Sequence, residues 1–313
     1  MIKYHAPLLI KKPRQQIYGY TVLILSAMIW GTEAILVKLC YGCGFTIVSL
    51  LSLRYTVSLP VFVLLTKKTG AALAPPRELL GPLLMLSANV LAGVIMLYLA
   101  LALLPATLAI LFFYAYPSFT SLLHILLKRG PLGASRILAL LISALGLILL
   151  YWSSSADLSF WGVACALVSA LLQAGKLFQT ASLLPHLGAA RLNLFNAFTT
   201  TVAVGLFFVV QAIISPQGFG LAAISSLGWL LMLALGMFVT VFGNLFMAMG
   251  IHYVGAVDTS LVLLLEPLTT AALAFIIFGD LLIPWQMIGG LLILLAVALP
   301  AAKNLLTYPA DKK

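Results

Sequence analysis

Apolar runs of about twenty residues recur along this chain between short polar breaks, and that spacing constrains the fold more than any single residue does. A run of this length forms a helix that crosses the ~30 Å hydrocarbon core of a bilayer. Inside lipid every backbone N–H and C=O must be satisfied by the protein itself, so only helices or closed barrels can span. The runs are about twice as long as the alternating ~10-residue strands of a membrane barrel and lack their period of two. Composition agrees: 63% of residues are hydrophobic, 8% are charged and the mean hydropathy is +1.18, against roughly 45–50% apolar residues in soluble domains. The expected fold class is an all-α membrane protein without a soluble domain.

Ten spans are predicted, at about 17–39, 45–66, 79–102, 105–127, 132–152, 160–182, 190–213, 225–250, 253–278 and 284–302. The formal charge of +10 has to be located before it is interpreted. Lys3, Lys11, Lys12 and Arg14 lie in the first tail, and Lys303, Lys312 and Lys313 in the last. Lys67, Lys68, Arg77, Lys128, Arg129, Arg136 and Arg191 fall in alternate loops. The loops between carry no Lys or Arg, and two hold Asp157 and Asp280. This is the positive-inside pattern, so both termini are expected in the cytoplasm, and the basic balance reflects topology and not nucleic acid. The expected location is a bacterial inner membrane. The first run is too long for the core of a cleavable signal and is expected to stay as an anchor. Cys40 and Cys43 form an isolated C-x-x-C, without a second pair for zinc, and read as small apolar residues.

The chain also matches itself. Shifted by 150 residues, Pro117 superposes on Pro267, Ala106 on Ala256, Leu111 on Leu261 and Thr120 on Thr270. Shifted by 143, Ser26-Ala27 meets Ser169-Ala170, and Glu33 meets Lys176. Each half then holds five spans. An odd number inverts the second copy in the membrane, a plan found in many secondary transporters. The expected organisation is a basic tail (1–16), two inverted five-helix repeats (17–152 and 153–302) and a second basic tail (303–313).

The segment from Gly255 to Pro267 sets Asp258, Glu266 and a proline in or beside a spanning run, and the string Glu266-Pro267 continues to Gly279-Asp280, then to Gln286 and Gly289-Gly290. With ten spans, a five-plus-five repeat, Ser26 to Gly31 in the first span and Arg54 in the second, the chain resembles the EamA-like branch of the drug/metabolite transporter superfamily over about residues 18–299. It departs from that pattern in having Asp280 for the usual Glu and Tyr116 before the first proline. The resemblance implies a carrier whose first, third, fourth, sixth, eighth and ninth helices surround a central cavity. It also implies a Glu-Pro signature, Glu266 and Pro267, shared across many substrates, so these two are assigned to shaping and gating the ninth helix. Pro117 is their counterpart in the first repeat.

Intramembrane polar residues must face protein or a wet cavity. Ser169, Gln173, Lys176 and Thr180 recur every three or four residues along the sixth span and form one stripe. The first span offers Trp30 and Glu33, the third Asn89 and Tyr98, the fourth Tyr114, and the eighth Thr240 and Asn244. Glu33 and Lys176 occupy equivalent repeat positions with opposite charge. Two readings of this pair fit the sequence equally: they receive the ammonium and carboxylate of a zwitterion, with Trp30, Tyr98 and Tyr114 packing its apolar part, or they neutralise each other. Glu33 is also a candidate proton carrier. Arg54 is expected to snorkel toward an interface as an anchor, and Asp258 to cap the start of its helix.

No metal-ligand spacing is present, no cofactor is expected beyond possible proton coupling, and no enzyme motif occurs. The expected function is therefore alternating-access transport of small amphipathic metabolites, amino acids foremost. A larger nucleoside-like or cofactor-like metabolite, or drugs, is the alternative. The expected partners are a small-molecule substrate and the lipid bilayer, and the protein is expected to be a monomer or homodimer.

Overall fold

The computed structural model describes residues 13–126, 158–214, 224–254 and 265–306 with few interruptions, together with isolated positions between 137 and 149 and between 259 and 263. Residues 1–12 and 307–313 of the basic tails, the Lys128, Arg129 and Arg136 loop, most of the expected fifth span, Asp157 and Asp258 lie outside the described residues, while 13–16 and 303–306 continue the neighbouring helices. Among those described, every regular element is helical. Five helical stretches are long and apolar enough to cross a membrane, Ile17–Gly42, Ile47–Lys68, Arg77–Leu103, Phe160–Phe207 and Ser226–Tyr253. The protein is thus a multi-pass membrane protein. Its outward faces are apolar, as with Ile276 at 73% exposure, because lipid and not water is their solvent.

Helices α1 (Pro13–Gly31) and α2 (Glu33–Gly42) follow one another through Thr32, whose hydroxyl donates to the Ile29 carbonyl at 2.6 Å. Helix α3 (Ile47–Lys68) starts on a capping box, in which Thr46 accepts from the Ser49 amide and the Ser49 hydroxyl accepts from the Thr46 amide. It ends on Lys67 and Lys68, where cations suit the negative end of the helix dipole. A 3₁₀ turn (Arg77–Leu79) opens α4 (Leu80–Leu103). Helices α5 (Ala106–Phe113) and α6 (Tyr116–Leu126) come next. The long α7 (Phe160–Ile214) is two rods joined at Gly188, where a φ of 70° favours glycine, and it covers both the sixth and seventh expected spans. Then follow α8 (Ser226–Leu233), a π-helical stretch (Ala234–Gly243), α9 (Asn244–Val254), α10 (Leu265–Phe278) and α11 (Pro284–Leu306).

The two repeat-related prolines break their helices alike. Pro117 has no N–H to offer Phe113, and the chain turns at Tyr114 and Ala115 before α6 begins. Pro267 has none for Leu263, which likewise sits in a turn just before α10. The spans around them are therefore interrupted, not merely bent.

Small residues set the closest helix approaches. On the π stretch and α9, Gly243 lies against the Trp30 indole and Gly250 against Leu23, while the Ser26 hydroxyl donates to the Gly243 carbonyl at 2.8 Å. Across the other side of α1, the Thr270 hydroxyl donates to the Gly31 carbonyl at 2.9 Å, and a Cβ placed on Gly31 would stand 2.5 Å from Thr269 Cβ. That atom is fixed to the backbone and cannot step aside. Gly31→Ala is therefore expected to push α1 and α10 apart and cost about 1–3 kcal/mol, read as a lowered Tm in detergent. An unchanged Tm would mean that this contact is loose.

Candidate functional site

The polar residues within the bundle converge on a cavity walled by all the helices from α1 to α5, by α7, the π stretch, α9 and α10. Its space for water-sized molecules is about 80 Å³, and it opens outward. Trp30, Glu33, Asn89, Gln173, Lys176, Thr240 and Asn244 all line it. So do Ser169 and Thr180, so the whole predicted stripe of the sixth span points inward.

Tyr98 and Tyr114 do not line the cavity. Both are completely buried behind it, and their hydroxyls serve other groups. Tyr98 donates to Glu33 at 3.4 Å and accepts from Arg54. Tyr114 bonds to the Leu263 carbonyl and lies 3.0 Å from Glu266 Oε2. The aromatic side chains that line the wall are Trp30, Tyr55, Phe62 and Phe113. Helical spacing places a residue on a face but does not say how deep its side chain ends.

Arg54 departs furthest from the sequence reading. It is 2% exposed, far from any snorkelling position. Its guanidinium forms an ion pair with Glu33 Oε1, meets Tyr98 Oη and, through Nε, donates to Thr240 Oγ1 at 2.6 Å. It also stands 5.4 Å and 5.6 Å from the ring centres of Tyr55 and Tyr98. A rigid fork of donors suits such multiple acceptance better than a lysine would. The π stretch contributes to this arrangement: the Thr240 hydroxyl donates to the carbonyl of Leu235, five residues earlier, at 3.0 Å. Thr240 is thereby held with its other lone pair toward Arg54. Gly236 sits beneath, where an added Cβ would lie 3.0 Å from the Arg54 carbonyl.

Arg54 thus takes Glu33 away from Lys176. Among the described residues Lys176 has no carboxylate within ion-pair distance, and its ammonium rests 5.1 Å from the centre of the Trp30 ring. A cation held over an indole face keeps its hydrogen-bond donors available. Nearby amides complete a polar wall. Asn89 donates to the Leu172 carbonyl at 2.9 Å and to Gln179 at 3.0 Å, and Asn244 to the Thr240 carbonyl at 2.9 Å. Asn193 and Asn196 also line the cavity, Asn196 accepting from the Ser87 hydroxyl at 2.7 Å. Their spacing of three, with Thr200 four further on, is a stripe the sequence already held. Glu266, assigned from the sequence to helix shape and gating, is 5% exposed and also lines the cavity.

The three cysteines are free, Cys40 buried and Cys43 half-buried. Among the described residues no cluster of His, Cys, Asp or Glu is built to hold a metal.

The model of the EamA-like transporter family matches residues 17–152 and again residues 160–301. The chain belongs to the EamA-like transporter family. A solved structure, described only as the crystal structure of a protein, aligns with 97% of this EamA-like chain and 100% of its own, at 16% identity and a TM-score of 0.65. At that identity the likeness concerns the fold alone. A search of curated proteins returned no match. Membership places this EamA-like protein among membrane transporters of small molecules.

Proposed function

We propose that the protein is a secondary carrier that works by alternating access and moves small amphipathic carboxylates, amino acids and related metabolites foremost, across a bacterial inner membrane. The observation that carries this reading is Lys176, an ammonium that is half-buried on the wall of a largely apolar cavity and has no ion-pair partner among the described residues. An uncompensated buried cation is costly, and a substrate carboxylate is the group that would complete it. The Trp30 face, Phe62 and Phe113 would take the apolar part of the same molecule.

In the same proposal the chain has ten spans in two inverted repeats, 17–152 and 153–302, with the basic tails on the cytoplasmic side. The matching breaks before Pro117 and Pro267 support the repeat, and the cavity draws walls from both halves. Counterflow in reconstituted liposomes tests the function: amino acids are expected to exchange saturably, and their methyl esters or amino alcohols to exchange at least about tenfold more slowly. Equal rates with and without the carboxylate would overturn the reading.

A further inference from the structure

Around the Glu-Pro signature, the hydrogen bonds leave only one place for a proton. Proline lacks an N–H, so the Leu263 carbonyl, four residues before Pro267, loses its helical donor. It accepts instead from the Glu266 amide at 3.0 Å and from the Tyr114 hydroxyl. A phenol has a single proton and a carbonyl can only accept, so the Tyr114 proton points at Leu263. Yet Tyr114 Oη also lies 3.0 Å from Glu266 Oε2, and both atoms are buried. An ionised carboxylate there would face a lone pair. A hydrogen bond forms only if Glu266 supplies the proton.

We infer that Glu266 is a proton-binding site of the transport cycle, loaded in this conformation, and that its proton admits a substrate carboxylate to Lys176 in the same cavity. The inference rests on the carrier reading above and specifies its coupling. Among the described residues the titratable groups facing Glu266 are Glu33 of α2, Lys176 of α7, Tyr114, and Tyr116 of α6, with Arg54 of α3 beside Glu33. With Glu266 neutral, Lys176 is left to the substrate carboxylate. With Glu266 ionised, its own carboxylate competes for the same ammonium and the substrate is released. The carboxyl takes its proton from water on one side and returns it on the other, and no other bond changes. Proton and carboxylate therefore load and leave together.

Reconstituted full-length protein with an entrapped pH-sensitive dye tests this, using an amino acid that supports counterflow. In the wild type, uptake is expected to carry protons in the same direction, and an inward proton gradient to drive accumulation. Glu266→Gln mimics the permanently protonated acid. It is expected to lose proton flux and all gradient-driven accumulation, and its exchange rate is expected to be the same on the acidic and basic sides of neutrality. Wild-type net uptake without proton movement, or accumulation by Glu266→Gln, would overturn the proton site and leave the carrier reading intact. Absence of counterflow for every carboxylate would overturn the carrier reading instead. Infrared difference spectra then decide the proton site alone. A protonated-carboxyl band at neutral pH that shifts in Glu266→Asp supports it, and a wild type without such a band refutes it.

Discussion

Arg54→Met is expected to be the most destabilising single change in the site, costing about 3–5 kcal/mol. It strips the guanidinium from Glu33, Tyr98 and Thr240 together and leaves Glu33 as a charge in an apolar bundle with no counter-ion in contact. Because the loss is dominated by that orphaned carboxylate, Glu33→Gln combined with Arg54→Met is expected to recover much of the stability. Removing both partners of a buried pair is often close to neutral. Thermal unfolding in detergent of the wild type, both single variants and the double variant gives the coupling directly. A coupling below about 1 kcal/mol, as exposed pairs show, would mean that water reaches the pair and that Arg54 does not hold the site together.

Lys176→Met is expected to act in the opposite way, on transport and hardly on stability. No ion pair among the described residues is broken by it, and the methionine keeps most of the apolar stem against Trp30. What disappears is the donor for a substrate carboxylate. A charge-assisted hydrogen bond is worth about 1.5–3 kcal/mol, so the apparent affinity for carboxylates should fall roughly 10- to 150-fold. Lys176→Arg should restore part of it by supplying the charge in a longer, planar form. Counterflow titrations measure both. Unchanged affinity in Lys176→Met together with normal folding would remove Lys176 from the site. The two variants also separate the proposed roles of the cavity's cations, Arg54 in holding the walls and Lys176 in meeting a guest.

Much of this was legible before the fold was known. A polar residue on a spanning helix has few places to go, so the stripe Ser169, Gln173, Lys176 and Thr180 pointed to the cavity by helical period alone. Gly236, Gly243 and Gly250, spaced seven apart, all lie at close helix contacts. The failures share a cause. Arg54 and Glu33 are 21 residues apart on different helices, and Arg54 reaches Thr240 across 186 residues. Which buried charges neutralise one another depends on how helices turn toward each other, and repeat register, which matched Glu33 with Lys176, carries no such information. Tyr98 and Tyr114 were placed on the right faces but at the wrong depth, because length of side chain and closeness of neighbours decide whether an aromatic lines a cavity or stands behind it.

The sequence by itself determined the solvent of this protein, its helical class and the inward face of its longest polar stripe. Each follows from local quantities: the length of apolar runs, the 3.6-residue period, and the cost of polar atoms in lipid. Only the tertiary structure decided that Arg54 neutralises Glu33, that Lys176 is left with an indole for company, and that Pro267 leaves Leu263 for Tyr114 to bond. Those are pairings between distant segments, set by helix packing and by the rule that each buried donor and acceptor must find a partner.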